Sequence, residues 1–150
     1  MLFGPSFLGS PGINFEDANR YQIQLLVTDH SGLRDEFSCL LLVEDENDMP
    51  RLDLESVLFS VPENIEPGAS IGDVIIHDED PADILSVYIT AQDAGAGINF
   101  ALVASDSPRR WSLVLRAGSL DFENLENHTI HLSLSDGHVT TTSSVVVRVI

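Results

Sequence analysis

Hydrophobic residues recur at every second position in several short stretches of the chain. Ile23, Leu25 and Val27 alternate with mostly polar neighbours, as the residues of the later stretch Trp111–Leu115 do. Because the side chains of a β-strand point alternately to its two faces, this period predicts strands with one buried face. Clusters of Gly, Pro, Asp and Asn separate the stretches, so the sequence predicts an all-β fold, an antiparallel β-sandwich. The other stretches of this kind are Phe37–Val43, Val57–Val61, Ile130–Leu134 and Val145–Val149.

Three features near the start of the chain recur at one constant offset. Phe15 and Phe122, Ile23 and Ile130, and Asp29 and Asp136 are each 107 positions apart. A constant offset predicts two copies of one module in tandem, of which the first is present only in its last third. The predicted organisation is a disordered segment 1–12, the C-terminal part of a repeat over 13–44, a linker over 45–50 and a repeat over 51–150.

The charge of the chain is strongly unbalanced. Its 150 residues include 24 carboxylates and only seven basic residues, all Arg, for a formal net charge of −17. Such a surface repels nucleic acid and anionic membrane, which bind patches of Lys and Arg. The apolar content of 43% is enough for a packed core. Because self-repulsion of this size destabilises a compact fold, divalent cations are the expected counter-ions.

Cys39 is the one cysteine of the chain, which excludes an internal disulfide and a zinc site built on several thiolates. Its place in the alternating run Phe37–Val43 predicts a buried position. No stretch approaches the ~20 apolar residues that span a bilayer, and Met1–Gly12 lacks the basic start of a signal peptide.

The acidic residues gather where predicted strands end. The linker Asp45–Pro50, the run Asp78–Asp80 after one strand and Asp136 after another offer oxygen ligands that suit Ca²⁺. Loops of a β-sandwich cluster at its two ends, so these groups can converge. The EF-hand alternative fails, because a loop beginning at Asp78 has Asp83 where that motif needs Gly.

These motifs resemble those of the extracellular repeats of cadherins. The linker is similar to the cadherin sequence Asp-x-Asn-Asp-Asn-x-Pro, shortened by one residue and with Met49 at the last Asn. The resemblance covers about residues 13–150 and implies a Greek-key sandwich of immunoglobulin-like architecture. The other matching segments, in the family's order, are Val61–Asn64, Asp78–Asp80, Leu120–Glu123 and Ser135–Gly137.

The resemblance also implies calcium ligands at the junction between the two repeats. It implies that the ion nearest the second repeat takes Asn47, Asp78, Asp80 and Asp136. It implies that a middle ion takes Glu16, Asp45, Asp48 and Asp80, and that an outer ion takes Asn14, Glu16 and Asp48. Asn14 replaces an expected Asp, and residues 1–12 contain no acidic residue to bridge the outer ions. The expected order of calcium affinity therefore falls from the second repeat outward.

The function that the resemblance implies is calcium-dependent cell–cell adhesion, homophilic or with another cadherin-type partner. Calcium would stiffen the junction of a cell-surface protein whose repeats lie outside the plasma membrane, and Asn127 begins a glycosylation sequon. The alternative is a structural or soluble calcium-binding fragment of a longer cadherin-related protein that does not adhere. No nucleophile or metalloprotease motif surrounds the five histidines, so we do not expect an enzyme.

Overall fold

The chain folds into two compact units, Met1–Glu46 and Asn47–Ile150, in a computed structural model that describes residues 12–150. The predicted disordered segment lies outside the described residues, apart from Gly12. Across residues 12–150 the regular elements are strands and one 3₁₀ helix, and no helix has the length and apolarity to cross a membrane. The strands are β1 Arg20–Thr28, β2 Arg34–Leu42, β3 Arg51–Leu52, β4 Leu58–Val61, β5 Ser70–His77, β6 Ser86–Asp93, β7 Asn99–Ala104, β8 Arg110–Ala117, β9 Asn127–Ser135 and β10 Thr140–Val149.

The first unit is built on one antiparallel hairpin, β1–β2, in which Ile23 lies opposite Cys39. Its turn is shaped by Asp29, whose Oδ1 accepts from the backbone N–H of Ser31 at 2.8 Å and of Leu33 at 2.9 Å. Gly32 follows in a left-handed conformation with φ of 87°, which favours glycine. The Ser31 hydroxyl, with these N–H groups, lowers the pKa of Asp29.

The prediction that Cys39 is buried is wrong, because its side chain is exposed. The alternation in β2 does place Cys39 on the more apolar side of the hairpin. However, the described part of the first unit contains no second sheet to cover that side. Periodicity identifies which face of a strand is apolar, but burial also requires an opposing layer.

The second unit is a sandwich of two four-stranded sheets, with the strand orders β4-β10-β9-β6 and β3-β5-β8-β7. All pairings are antiparallel except the parallel pair β4–β10. The alternating residues fill the space between the sheets, as predicted, so the β-sandwich fold is confirmed. The fully buried core includes Val74, Ile76, Phe100, Leu113, Leu115, Ile130, Leu132, Leu134, Val145 and Val147.

One predicted strand of the second unit begins later than expected. The stretch from Val57 forms a strand only from Leu58, because Leu54–Ser56 form a 3₁₀ helix capped by Asp53. The buried Ser56 hydroxyl donates to the carbonyl of Asp73 and accepts from the N–H of Ile75, both at 3.0 Å. These two bonds hold the short helix against β5.

Candidate metal centre

Three polar segments of the second unit meet at one end of its sandwich. The residues before β3 lie beside those after β5, because Arg51 pairs with His77 at the edge of an antiparallel ladder. The hydroxyl of Thr141, at the start of β10, donates to the carbonyl of Pro50 at 2.9 Å. This bond brings the turn after β9 to the same place, so the pairing of the strands assembles the site.

Three carboxylates form the centre of the site. Oxygen atoms of Asp78, Asp83 and Asp136 all lie within 4.8 Å of one another. Asp78 is only 8% exposed and Asp136 only 2%. Oδ2 of Asp78 and Oδ2 of Asp83 are buried and have no hydrogen-bond partner among the described residues. Buried carboxylate oxygens normally have a partner, so two unpartnered ones in one carboxylate cluster are oxygens that a bound cation would satisfy.

The electrostatics of Asp78 and Asp136 differ. Burial raises the pKa of Asp78, and the negative charges of Asp83, Asp80 and Asp136 add to the rise. The pKa of Asp136 falls instead to about 2, because its carboxylate accepts from the Asn47 side chain and from the N–H of Val139. The site therefore holds one carboxylate that stays ionised easily and one that is destabilised when charged without a cation.

Asn47, Asp48 and Asp80 connect the start of the second unit to this cluster. The Asn47 side-chain nitrogen donates to Oδ2 of Asp136 at 3.0 Å and to the carbonyl of Asp48 at 2.9 Å. The backbone N–H of Asp48 donates to Oδ2 of Asp80 at 2.8 Å. Two of the carboxylates expected from the sequence are thus already tied to the segment that precedes β3.

Arg109 holds the backbone of the acidic loop from outside the carboxylate cluster. Its guanidinium donates to the carbonyl of Asp78 at 2.6 Å and to the carbonyl of Asp80 at 3.0 Å. The N–H of Asp83 donates to the carbonyl of Asp80 at 3.4 Å, which closes a turn over Pro81. These contacts fix where the carboxylates project.

Sequence reasoning assigned neither the carboxylate of Asp83 nor Arg109 to the site. The spacing Asp80-Pro81-Ala82-Asp83 was a usable signal, because Pro favours the second position of a turn that folds the fourth residue back. Nothing in the sequence marks Arg109, since it reaches the loop only through the pairing of β8 with β5.

The donor set matches the chemistry of calcium. Ca²⁺ takes six to eight oxygen ligands at about 2.3–2.6 Å, so oxygens on opposite sides of the ion are separated by about 5 Å or less. The atoms of Asp78, Asp83 and Asp136 satisfy that limit. The cluster offers carboxylate oxygens, whereas zinc prefers sulfur and imidazole nitrogen.

Glu16 and Asp45 lie in the first unit. Glu16 is in the turn before β1, where its N–H donates to Oδ1 of Asn14 at 2.9 Å, and Asp45 follows β2. Their carboxylate oxygens lie within 4.8 Å of each other. Both are exposed, and their part in calcium binding remains a prediction from the sequence.

A second group of carboxylates lies in loops of the second unit. Oxygens of Glu63, Asp121 and Glu123 lie within 4.8 Å of one another, and all three residues are exposed. The N–H of Phe122 donates to the Glu63 carboxylate at 3.4 Å. Exposed acidic groups of this kind are well solvated without an ion, so this group is a weaker candidate than the buried one.

One polar chain tests the enzymatic alternative. His131 lies between Ser144 and Asp93, with its ring nitrogens 3.0 Å from the Ser144 hydroxyl and 3.0 Å from the Asp93 carboxylate. A nucleophilic serine also needs positioned donors for an oxyanion and a substrate cleft. These side chains lie on the neighbouring strands β6, β9 and β10, and their contacts link the three strands.

No protein-family model matches the chain. Cadherin-22 of Rattus norvegicus is 27% identical to it over 128 residues, which are 81% of this chain and 16% of that protein. Protein dachsous of Drosophila melanogaster is 35% identical over 104 residues, 68% of this chain and 3% of that protein. The chain thus spans only a small part of the length of these curated relatives.

Solved structures of similar fold come from the same kind of protein. Extracellular cadherin domains 3–6 of protocadherin gamma B2 align with a TM-score of 0.58 and 21% identity, covering 93% of this chain and 33% of that one. The human desmocollin-1 ectodomain aligns with a TM-score of 0.56 and 20% identity, covering 92% and 29%. At this level of identity the alignments establish the fold.

Proposed function

The chain belongs to the cadherin superfamily, and on that premise we propose that it is a calcium-binding cadherin-type module of a cell-surface protein. Calcium would be bound at the cluster of Asp78, Asp83 and Asp136, with further oxygens from Asn47 and Asp80. Its role would be to stiffen the chain between repeats for cell–cell adhesion.

One observation carries the proposal: a buried carboxylate oxygen of Asp78 faces like charges and has no hydrogen-bond donor. A divalent cation would supply the missing positive charge and satisfy this oxygen together with that of Asp83. Burial raises the pKa of Asp78, so ionising this carboxyl group in the fold costs free energy. Binding of the calcium ion would offset that cost.

Asn47 would present an oxygen to the ion after rotation of its amide. In the described conformation its nitrogen faces Asp136. The oxygen and nitrogen of the amide exchange places by a half-turn, so the same side chain can be a donor to the carboxylate without calcium and a ligand with it. Glu16, Asp45 and Asp48 enter the proposal through the sequence resemblance alone.

The proposed setting is extracellular, with the repeat held at a cell surface as part of a longer protein and contacting another cadherin-type protein. The alternative is a calcium-binding piece that does not adhere.

The calcium proposal is tested by thermal unfolding with calcium and with a chelator. The wild-type chain should gain stability with calcium, by about 2.7 kcal/mol at a hundredfold excess over Kd. Asp78→Asn should lose most of this gain, whereas Glu66→Gln, which removes an exposed charge in the loop before β5, should keep it. An equal gain in both variants would contradict the proposal.

Adhesion is tested separately by coating beads with the chain. Calcium-dependent aggregation that Asp78→Asn abolishes would support the adhesive function. Calcium binding without aggregation would favour the non-adhesive alternative.

A further inference from the structure

Asn127 begins the sequon Asn127-His128-Thr129, the one motif of this kind in the 150 residues. The calcium cluster does not include it, and the proposed adhesive role does not explain it. A motif this short also occurs by chance. Its significance therefore depends on how the fold presents the acceptor amide of Asn127 and the hydroxyl of Thr129.

Both of these side chains point away from the core of the second unit. Asn127 is the first residue of β9 and is exposed, Thr129 is partly exposed, and His128 between them is buried. Because alternate residues of a strand share a face, Asn127 and Thr129 project together from the outer surface of the sheet β4-β10-β9-β6. The fold therefore presents both defining side chains of the sequon on one accessible surface.

The amide of Asn127 takes no part in holding the fold together, since its side chain has no hydrogen-bond partner within residues 12–150. Arg148 lies opposite it in β10, but its Nε donates to the Glu126 carboxylate at 3.0 Å. On the other side, β6 ends at Asp93, which pairs with Thr129, so β6 does not extend beside Asn127. A sugar in place of one Nδ2 hydrogen would break no contact of the described fold.

The surface around Asn127 is uncharged over most of its extent. The outward-facing residues of β9 and β10 include no carboxylate, in a chain whose net charge is −17. Hydroxyl groups both donate and accept hydrogen bonds, as the hydroxyls of a sugar do, so this surface suits a neutral carbohydrate. The hydroxyl-bearing members are Thr129, Ser133, Ser135, Thr140, Thr142 and Ser144.

We propose that Asn127 carries an N-linked oligosaccharide on the outer face of the sheet β4-β10-β9-β6. The proposal rests on the extracellular setting proposed above, because the sugar is added to secreted chains. Nδ2 of Asn127 forms a bond to the anomeric carbon of an oligosaccharide whose donor is a lipid-linked diphosphate. The bond from that carbon to the diphosphate oxygen breaks, the diphosphate leaves with the electron pair, and Nδ2 loses one proton.

The acceptor and the calcium cluster lie at opposite ends of β9. Asn127 is the first residue of this strand, and Asp136 follows its last residue, Ser135. A strand rises about 3.3 Å per residue, so about 30 Å separates the two positions along the sheet. The oligosaccharide should therefore leave calcium binding unchanged, and the two proposals can fail independently.

The test is expression of the 150-residue chain in human cells, with a cleavable secretion leader and an affinity tag fused to it. The mass of the purified chain should exceed that of the polypeptide and should fall to it after treatment with peptide N-glycosidase F. That enzyme converts the acceptor asparagine into aspartate, so peptide mass spectrometry should find the conversion at Asn127. Chains whose leader has been removed but which carry no sugar, in the cells and in the medium, would overturn the proposal.

Substitutions assign the acceptor. Asn127→Gln and Thr129→Ala should each lose the oligosaccharide, whereas Thr129→Ser, which keeps the hydroxyl, should retain it. Asn124→Gln changes an exposed asparagine outside a sequon and should also retain it. An oligosaccharide that persists in Asn127→Gln would contradict the assignment.

Thermal unfolding with calcium and with a chelator, before and after the enzyme, separates this proposal from the calcium proposal. The gain in Tm with calcium should be the same for the glycosylated and the deglycosylated chain. A gain seen only after deglycosylation would contradict the placement of the sugar far from the calcium cluster. No gain in either form would contradict the calcium proposal alone.

Discussion

The side-chain nitrogen of Asn47 donates a 3.0 Å hydrogen bond to Oδ2 of Asp136, which lies 89 positions later in the chain. Oδ1 of the same carboxylate accepts from the N–H groups of His138 at 2.7 Å and Val139 at 2.6 Å. These three donors keep Asp136 ionised, and they join the first residue of the second unit to the turn after β9.

Asn47→Ala should raise the pKa of Asp136 from about 2 toward its ordinary value of 3.8. Since the folded pKa is depressed, ionised Asp136 stabilises the fold above about pH 3.8, and this contribution is lost as the pH falls toward 2. The measurement is a carboxyl-carbon NMR titration of Asp136 with a chelator present. Asn124→Ala, which changes an exposed amide elsewhere, should leave the pKa of Asp136 unchanged. If Asn47→Ala also leaves it unchanged, the N–H groups of His138 and Val139 alone lower this pKa.

Asp83→Asn should have opposite effects with and without calcium. In chelator it removes a like charge next to Asp78 and offers a donor to the unpartnered oxygen, so Tm should rise by about 2–4 °C. With calcium it removes a ligand, so the calcium-dependent gain in Tm should shrink. Differential scanning calorimetry in chelator and in calcium measures the two effects. Stabilisation under both conditions, or destabilisation under both, would count against an ion shared by Asp78 and Asp83.

Arg109→Met should weaken calcium binding by about 10-fold or more, as loss of a contact that orients metal ligands commonly does. The reason is that its guanidinium holds the carbonyls of both Asp78 and Asp80. The neighbouring Arg110 instead contacts the half-buried Asp73 at 3.1 Å, on a side chain with about 42% exposure, so Arg110→Met is a matched control with little expected effect. Calcium titration of the two variants by calorimetry measures the difference in affinity. Equal affinities would show that Arg109 does not position the calcium ligands.

His128 should make the fold sensitive to mild acid. Both of its ring nitrogens are buried without a hydrogen-bond partner, its ring packs 5.7 Å from that of Phe100, and burial lowers its pKa. In the unfolded chain His128 has its ordinary pKa of 6.5, whereas in the fold it takes up the proton only at lower pH. The free energy of unfolding should therefore fall as the pH drops below about 6.5.

Denaturant unfolding at pH 7.5 and 5.5 tests this effect of His128. His128→Leu should reduce the difference in unfolding free energy between the two pH values, whereas Val147→Ala, which changes the buried core without removing a titratable group, should not. A difference of the same size in wild type and His128→Leu would show that other groups cause the acid sensitivity.

Local patterns identified the strands and the acidic strand ends, because both depend on neighbouring residues. Asp78 and Asp136 follow β5 and β9, and strand pairing brings their carboxylates together. Arg109 could not be foreseen, since its role depends on which strands are neighbours. The prediction of a buried Cys39 is wrong because alternation does not reveal whether a second sheet covers the face.

The most direct test of the central claim is a calcium titration of the 150-residue chain, followed by the backbone amide NMR signals. The account predicts that the signals of Asp78, Asp80, Asp83 and Asp136 shift together and saturably, and that Asp78→Asn abolishes these shifts while Glu66→Gln preserves them. Saturable shifts confined to other acidic loops, or the absence of saturable shifts at millimolar calcium, would contradict it.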